Sequence, residues 1–435
     1  MSNAVLEGYF GALESCPPLR WRGRVTQVVG NILESIGPPC SLGEGCEIHD
    51  AAGHRYAGEV VGFRGTTVLT MPVEKPSGIR YGDRIVALGK RPSLPVSDEL
   101  LGRVIDGMGR PLDGARRPHG DEYRALDSAA PAALERLPIR EPLSCGIRAI
   151  DGFVTCGRGQ RLGIFGGSGV GKSTLIGMMA RGTSAELTVL ALVGERGREV
   201  GEFLEALGEA GRRRSIVVVS TSDQSPLLRI RAALAATTIA EYFCQRGKHV
   251  LLVIDSLSRF AMAQREIGLA AGEPPTAKAY TPSVFSLLAR LLERAGRFAA
   301  GSITAFYTVL MEGDDQQDPL VDAVRSLVDG HILLDRRLAM QSHYPPVNIL
   351  DSLSRLMPAV ASREHLHRSY QLRNLLAAYT HSEDLIRIGA YNKGSDAELD
   401  RAISVLPRLQ AFLRQTPEET APLDETIARL GAIAG

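Results

Sequence analysis

Nine consecutive residues, Gly166-Gly167-Ser168-Gly169-Val170-Gly171-Lys172-Ser173-Thr174, combine flexible backbone, one amine and three hydroxyls in a spacing that can hold a polyphosphate. They fit a glycine, four free positions, then Gly-Lys-Ser/Thr. The glycines let backbone N–H groups turn toward phosphate oxygens, and the start of a following helix adds partial positive charge. Lys172 is suited to bridge the β- and γ-phosphates, and the Ser173 hydroxyl to hold Mg²⁺. The competing reading is a glycine-rich turn with a solvent-facing lysine. The flanks argue against it. Leu162-Gly163-Ile164-Phe165 is an apolar run fit for a buried strand, and Leu175, Ile176, Met178 and Met179 continue as a helix. The stretch reads as a nucleotide site.

Two carboxylates follow at strand ends. Val250-Leu251-Leu252-Val253-Ile254-Asp255 is an apolar run closed by an acid, the arrangement that reaches toward Mg²⁺, usually through a water. Leu192-Val193-Gly194-Glu195-Arg196-Gly197-Arg198-Glu199 puts Glu195 between two glycines in a loop after another apolar run. Open α/β sheets bind ligands at that edge, where Glu195 could orient and deprotonate a water. A salt bridge from Glu195 to Arg196 or Arg198 is the alternative, and spacing does not separate the two. His365 and His367 lack a third ligand nearby and read as exposed. Arg212-Arg213-Arg214 reads as a solvated face or a charge cap at a helix end.

The elements that must position these residues begin at Gly146. From there strands alternate with helices, the signature of a parallel sheet with crossovers. Strands are expected at Leu162–Phe165, Thr188–Val193, Ile216–Ser220, Val250–Ile254, Ser302–Leu310 and His331–Leu334. Helices are expected after the phosphate loop and at Glu199–Gly208, Leu227–Arg246 and Ser283–Ala295. Upstream, Arg22 to Leu94 shows short β-rich runs punctuated by glycine, the texture of a small antiparallel barrel. Seven prolines from Pro92 to Pro142 mark a connector, in which Gly102–Gly114 is turn-rich. From Leu356 onward the chain reads helical. Residues 1–20 carry Leu6, Tyr9, Phe10 and Leu13 on one helical stripe, which must pack on something to be stable. The expected domains are thus 1–20 (amphipathic segment), 21–94 (barrel), 95–355 (core with its connector) and 356–435 (helical).

At 435 residues with 44% hydrophobic and 23% charged side chains, the composition is that of an ordinary globular protein. A formal net charge of +1 supplies no global field to recruit nucleic acid or an anionic membrane. No apolar run approaches the ~20 residues of a membrane helix, and the N-terminus lacks a signal-peptide layout. Six cysteines without a C-x-x-C pair suit reduced thiols and a cytoplasmic location.

Taken together, Gly166–Thr174, Gly194–Glu199, Asp255-Ser256-Leu257-Ser258-Arg259-Phe260-Ala261 and Ser302-Ile303-Thr304-Ala305-Phe306-Tyr307 resemble the catalytic subunits of rotary ATP synthases. Thr308–Pro319 and Arg265–Pro275 are similar to the type III secretion branch. Ser382–Asp396 and Asp314–Pro319 look more like the flagellar export ATPases than the injectisome ATPases of virulence or symbiosis systems. The resemblance runs from about Arg22 to Asp400. It implies a RecA-like parallel-sheet nucleotide core with an N-terminal small β-barrel and a C-terminal helical domain. It also implies an Mg²⁺-dependent ATPase working as a homohexamer with sites at subunit boundaries. By position, Glu195 matches the family's catalytic glutamate, and Lys172, Ser173 and Asp255 its phosphate and metal contacts. Arg196 and Arg259 match arginines of the phosphate pocket, Tyr344 the tyrosine that stacks on adenine, and Arg355 an arginine finger supplied by a neighbouring subunit. Implied partners are a stator-like regulator, a central-stalk protein, a membrane export gate and chaperone–substrate complexes, at the cytoplasmic face of the inner membrane. The segment before Trp21 is shorter than the extension flagellar members commonly carry, which bears on how the regulator docks. Met311 and Leu353 read as tolerated apolar variants.

Two other readings compete. An RNA translocase of the transcription-termination type shares the core and a barrel, but near-neutral charge and the single Trp21 weigh against it. A non-catalytic nucleotide-binding subunit would lack the glutamate at position 195.

Overall fold

The protein is described here from a computed structural model covering residues 20–434 except Glu312, Gly313, Asp314 and Gln316. The apolar stripe expected at Leu6–Leu13 lies outside the described residues. The chain divides into two compact units, one ending at Pro92 and the other beginning at Ser93.

The first unit is a closed barrel of β1 (Arg22–Val29), β2 (Ile32–Ile36), β3 (Gly45–His49), β4 (Arg55–Arg64), β5 (Thr67–Pro72) and β6 (Arg84–Ala87), in the order β1-β2-β5-β4-β3-β6. Inward positions Val25, Leu33, Cys46, Ile48 and Ile85 form its core. In β1 the residues beside Val25, Arg24 and Thr26, are exposed or half-buried, as the two-residue period of a pleated strand requires. Bulges in β1 between Val25 and Gln27 and in β4 between Val60 and Gly62 supply the bend that closure needs. β2 and β3 were not expected from sequence: Glu34, Ser35 and Glu47 break their apolar alternation.

The second unit is built on one large sheet. Its strand order is Val347–Ser354, Gly330–Leu334, Arg161–Gly166, Ser302–Leu310, His249–Asp255, Leu187–Glu195, Ser215–Thr221 and Val104–Asp106. All six expected strands are present, each the same length or up to three residues longer. The register is parallel throughout except at the Val347–Ser354 edge, which runs antiparallel to Gly330–Leu334. Two strands were not expected. Val104–Asp106 lies in the turn-rich connector and is only three residues long, and Val347–Ser354 carries Asn348, Asp351 and two serines.

Helices cover the sheet. The segment Pro226–Gln245 is buried along most of its length, and Ala232, Ala233, Ala235, Ala236 and Ala240 let it lie close on the strands. Ser225 caps it by accepting from the Leu228 N–H at 3.2 Å. The helices Arg363–Arg387, Ala397–Leu413 and Leu423–Ala434 pack into the same apolar core as Phe153, Leu162 and Ile164, with Phe412 edge-on to Phe153. Buried Arg148 ties them down, its Nε donating to the Phe412 carbonyl at 2.7 Å.

His365 corrects an expectation. It is buried at the first turn of Arg363–Arg387, its Nε2 lies 2.9 Å from the Gly152 carbonyl, and burial holds its pKa below the usual histidine range. A neutral ring at a helix–helix contact explains a histidine with no metal partners. His367, two positions on, is exposed as expected. Arg214 acts as a cap for a different helix: its guanidinium donates to the carbonyls of Ala180 (3.1 Å) and Thr183 (2.9 Å) at the end of Lys172–Gly182.

Candidate functional site

The parallel register brings four strand ends to one edge of the sheet. Arg161–Gly166 runs straight into the phosphate loop. Gly166, Gly167 and Val170 are buried, while Ser168, Gly169, Ser173 and Thr174 face solvent. Gly171, the residue before helix Lys172–Gly182, sits at φ +96°, a conformation that side-chain-bearing residues rarely adopt. Lys172 begins the helix yet is only 8% exposed, because its stem folds back under the loop. Its Nζ donates to the carbonyls of Gly166 at 3.0 Å and Gly167 at 2.7 Å. Burial lowers its pKa to about 8, against the attraction of Asp255 and Glu195.

Glu195 and Asp255 close the neighbouring strands Leu187–Glu195 and His249–Asp255. Asp255 is buried and pairs in register with Leu192, so Glu195 lies three residues further along the shared edge. The Thr308 hydroxyl, from the next strand, donates to Asp255 Oδ1 at 2.6 Å. Burial pushes the Asp255 carboxyl up. Glu195 is raised to about 7, by burial first, then by a shared proton with Glu199 and by the charge of Asp255. Glu195 does not pair with Arg196 or Arg198. Its partner is Arg259, whose Nη1 lies 2.7 Å from Glu195 Oε1 and donates to the Gly194 carbonyl at 2.5 Å. Gly194 adopts φ +67°, and a Cβ there would stand 3.1 Å from the Arg259 Cδ, so glycine leaves room for that arginine.

The structure thus gathers Lys172, Glu195, Asp255 and Arg259 beside the phosphate loop. Tyr344 joins them from the side. The residue is 46% exposed, and its Cε1 is 3.7 Å from where a Cβ on Gly171 would be. The Gln415 N–H, from the C-terminal helices, donates to the Tyr344 carbonyl at 2.8 Å. Arg196 stays in solvent, its side chain 75% exposed and 3.5 Å from Glu199.

Arg355 stands apart. It follows strand Val347–Ser354, and its N–H donates to the Asp329 carbonyl at 3.0 Å. Ser354 pairs with Gly330, and His331 with Gly163, so Arg355 sits level with Arg161, at the start of the strand that ends in the phosphate loop. Five residues at about 3.3 Å each put it roughly 17 Å short of Gly166 along the strand, and two strand spacings about 10 Å to the side. An arginine side chain spans only roughly 7 Å. Arg355 is exposed, with no hydrogen bond or ion pair of its guanidinium found among the described residues. It cannot touch a phosphate in its own loop.

Sequence reasoning missed Arg259 as the partner of Glu195, Glu199 as its proton-sharing neighbour, and the roles of Thr308 and Gln415. Thr308 left a signal, a hydroxyl inside an otherwise apolar strand end. Gln415 left none, since its contact spans 71 residues of chain.

The donors near the loop suit Mg²⁺. Ser173 offers an exposed hydroxyl and Asp255 a buried carboxylate at a nearby strand end. Among the described residues no cluster of three or more His, Cys, Asp or Glu could hold a metal unaided. A hard cation here would take its remaining oxygens from nucleotide phosphates and water, as Mg²⁺ does.

Comparison with known proteins agrees with this geometry. The nucleotide-binding domain of the ATP synthase alpha/beta family matches residues 146–354, and the beta-barrel domain of the same family matches 25–89. The T3SS EscN ATPase C-terminal domain matches 361–432. The chain is 51% identical over 416 residues to the flagellum-specific ATP synthase of Bacillus subtilis (strain 168), covering 95% of both. It is 49% identical over 415 residues to the SPI-2 type 3 secretion system ATPase of Salmonella typhimurium, again covering 95% of both. Among solved structures, the assembled ATPase EscN from the enteropathogenic E. coli type III secretion system superposes with a TM-score of 0.91 at 44% identity, covering 95% of this chain and all of that one. EscN in complex with its central stalk EscO gives 0.88 at 43% identity, over 95% of this chain and all of that one. The chain is an ATP-hydrolysing enzyme and belongs to the type III secretion ATPases, the flagellum-specific ATP synthases among them, within the ATP synthase alpha/beta family.

Proposed function

We propose that this ATPase powers flagellar type III protein export, hydrolysing ATP at sites shared between identical subunits of a hexameric ring. The observation that carries the shared site is the position of Arg355: exposed, unpaired among the described residues, and too far from its own phosphate loop to reach it.

The chemistry follows from the residues. Lys172, now on loop carbonyls, turns its ammonium to the β- and γ-phosphates. Ser173 and Asp255 would hold Mg²⁺, which would supply positive charge against that of the phosphates. Arg259 fixes the Glu195 carboxylate, which orients the attacking water and takes its proton. Tyr344 stacks on adenine, and Arg355 of a neighbour meets charge that develops only in the transition state. Arg196, which the family resemblance assigns to the phosphate pocket, has its side chain 75% exposed and 3.5 Å from Glu199.

The ring would sit at the cytoplasmic face of the inner membrane, beneath an export gate. It would engage a central stalk and a stator-like regulator, and would strip export substrates from their chaperones. The match to flagellum-specific relatives at about half identity over nearly the whole chain supports the flagellar setting. Three experiments test the proposal. Phosphate release by the purified protein should be independent of added RNA, and Arg355→Ala protein mixed in small amounts should poison wild-type rings. Purification from the source cell should bring flagellar export proteins; needle-complex proteins instead would move the enzyme to an injectisome.

A further inference from the structure

The strand that delivers the phosphate loop also carries, at its other end, the platform on which Arg355 stands. Gln160, just before that strand, is fully buried. Its Oε1 accepts from the Gly157 N–H at 2.8 Å. Its Nε2 donates to Ser354 Oγ at 3.0 Å and to the Asp329 carbonyl at 3.2 Å. The Ser354 hydroxyl in turn donates to the Thr155 carbonyl at 2.9 Å.

Asp329 is held from its other side. Its N–H donates to the Arg161 carbonyl at 2.8 Å, and its Oδ2 accepts from the Arg161 N–H at 3.0 Å. The Asp329 carbonyl that receives Gln160 is the one that receives the Arg355 N–H. Two of the contacts that fix the backbone entering position 355 therefore pass through one buried amide.

Two residues before Ser354 the strand is also held by Arg373, whose Nη1 donates to the Ser352 carbonyl at 3.0 Å, so the Gln160 contacts are the ones nearest position 355, and a long guanidinium magnifies any tilt of its base. We infer that Gln160 and Ser354 are positioning residues for Arg355, holding its backbone at the angle from which the side chain reaches a neighbouring subunit's phosphates. This rests on the shared-site reading above. Neither residue is near the chain's own phosphate loop, since both lie level with the start of strand Arg161–Gly166.

The test is a double-mutant cycle on the assembled full-length protein, read as kcat and KM for ATP. Gln160→Ala and Ser354→Ala should each lower kcat on the order of 10- to 100-fold, the scale of a misplaced reacting group. KM for ATP should stay within about twofold, because nucleotide contacts in the mutated chain are untouched. On an Arg355→Ala background the same substitutions should cost less than about twofold, because the group they position is gone. An equal loss on both backgrounds, or a rise in KM with kcat unchanged, overturns the inference. Ser354→Ala removes one hydroxyl and guards against a folding failure of Gln160→Ala. If Arg355→Ala itself leaves turnover intact, the shared-site reading fails first, and that outcome is distinct from a failure of the platform alone.

Discussion

Two groups of side chains share this fold, and their environments are opposite. Lys172, Glu195, Asp255 and Arg259 are buried or half-buried and already tied to one another or to the loop, and burial displaces the pKa values of Lys172, Glu195 and Asp255. Tyr344 and Arg355 are exposed, and the Arg355 guanidinium has no hydrogen bond or ion pair among the described residues. Buried, mutually restrained charges belong to machinery completed within one chain. An unpaired guanidinium on an edge strand is what a surface looks like when its partner lies on another chain. The first group is preorganised, so it can bind nucleotide alone. The second supplies what is missing, so turnover should depend on assembly.

The sharpest way to break this contrast is Arg355→Ala. It should lower kcat by ~10³–10⁵ at assembling concentrations, with ATP binding retained in a fluorescent-nucleotide titration. Glu195→Gln should lower kcat by roughly 10²–10⁴ with binding likewise kept. Lys172→Ala differs from both, because it should abolish binding itself in the same titration.

The electrostatics of the buried group predict a pH profile. A carboxyl raised to about 7 loses its base form as pH falls through that value, so kcat/KM should drop on the acid side of about pH 7. Arg259 opposes that rise, so Arg259→Gln should move the acid limb to higher pH as well as lowering the rate. A limb that stays put would remove Arg259 from the account of Glu195.

Smaller effects are expected at the exposed group's adenine side. Tyr344→Ala should weaken ATP binding by about 1–3 kcal/mol, the range for stacking a base on an aromatic ring. Tyr344→Phe should be close to neutral.

The same contrast explains what could be read in advance. Apolar runs leading to an acid at a parallel sheet's edge made Glu195 and Asp255 legible along with the core strands, and the glycine spacing ahead of Lys172 made the phosphate loop legible. Val347–Ser354 was not legible, because a solvated edge strand need not be apolar on both faces. Arg259 and Arg196 look alike in sequence, each one turn or less beyond a strand-end acid. Only the fold shows Arg259 folded back onto Glu195 and Arg196 pointing to water. His365 looked like a surface histidine because its burial depends on a helix more than 200 residues earlier, at Gly152.

The central claim is that one chain's Arg355 serves another chain's phosphate loop. Arg355→Cys protein and Ser168→Cys protein, mixed in the presence of Mg-ATP and treated with a short bismaleimide, test it directly once linked peptides are sequenced by mass spectrometry. The account predicts a covalent heterodimer joined through positions 355 and 168. Assembled rings that yield no such link, while a Ser168→Cys/Arg355→Cys double variant links within a single chain, would contradict it.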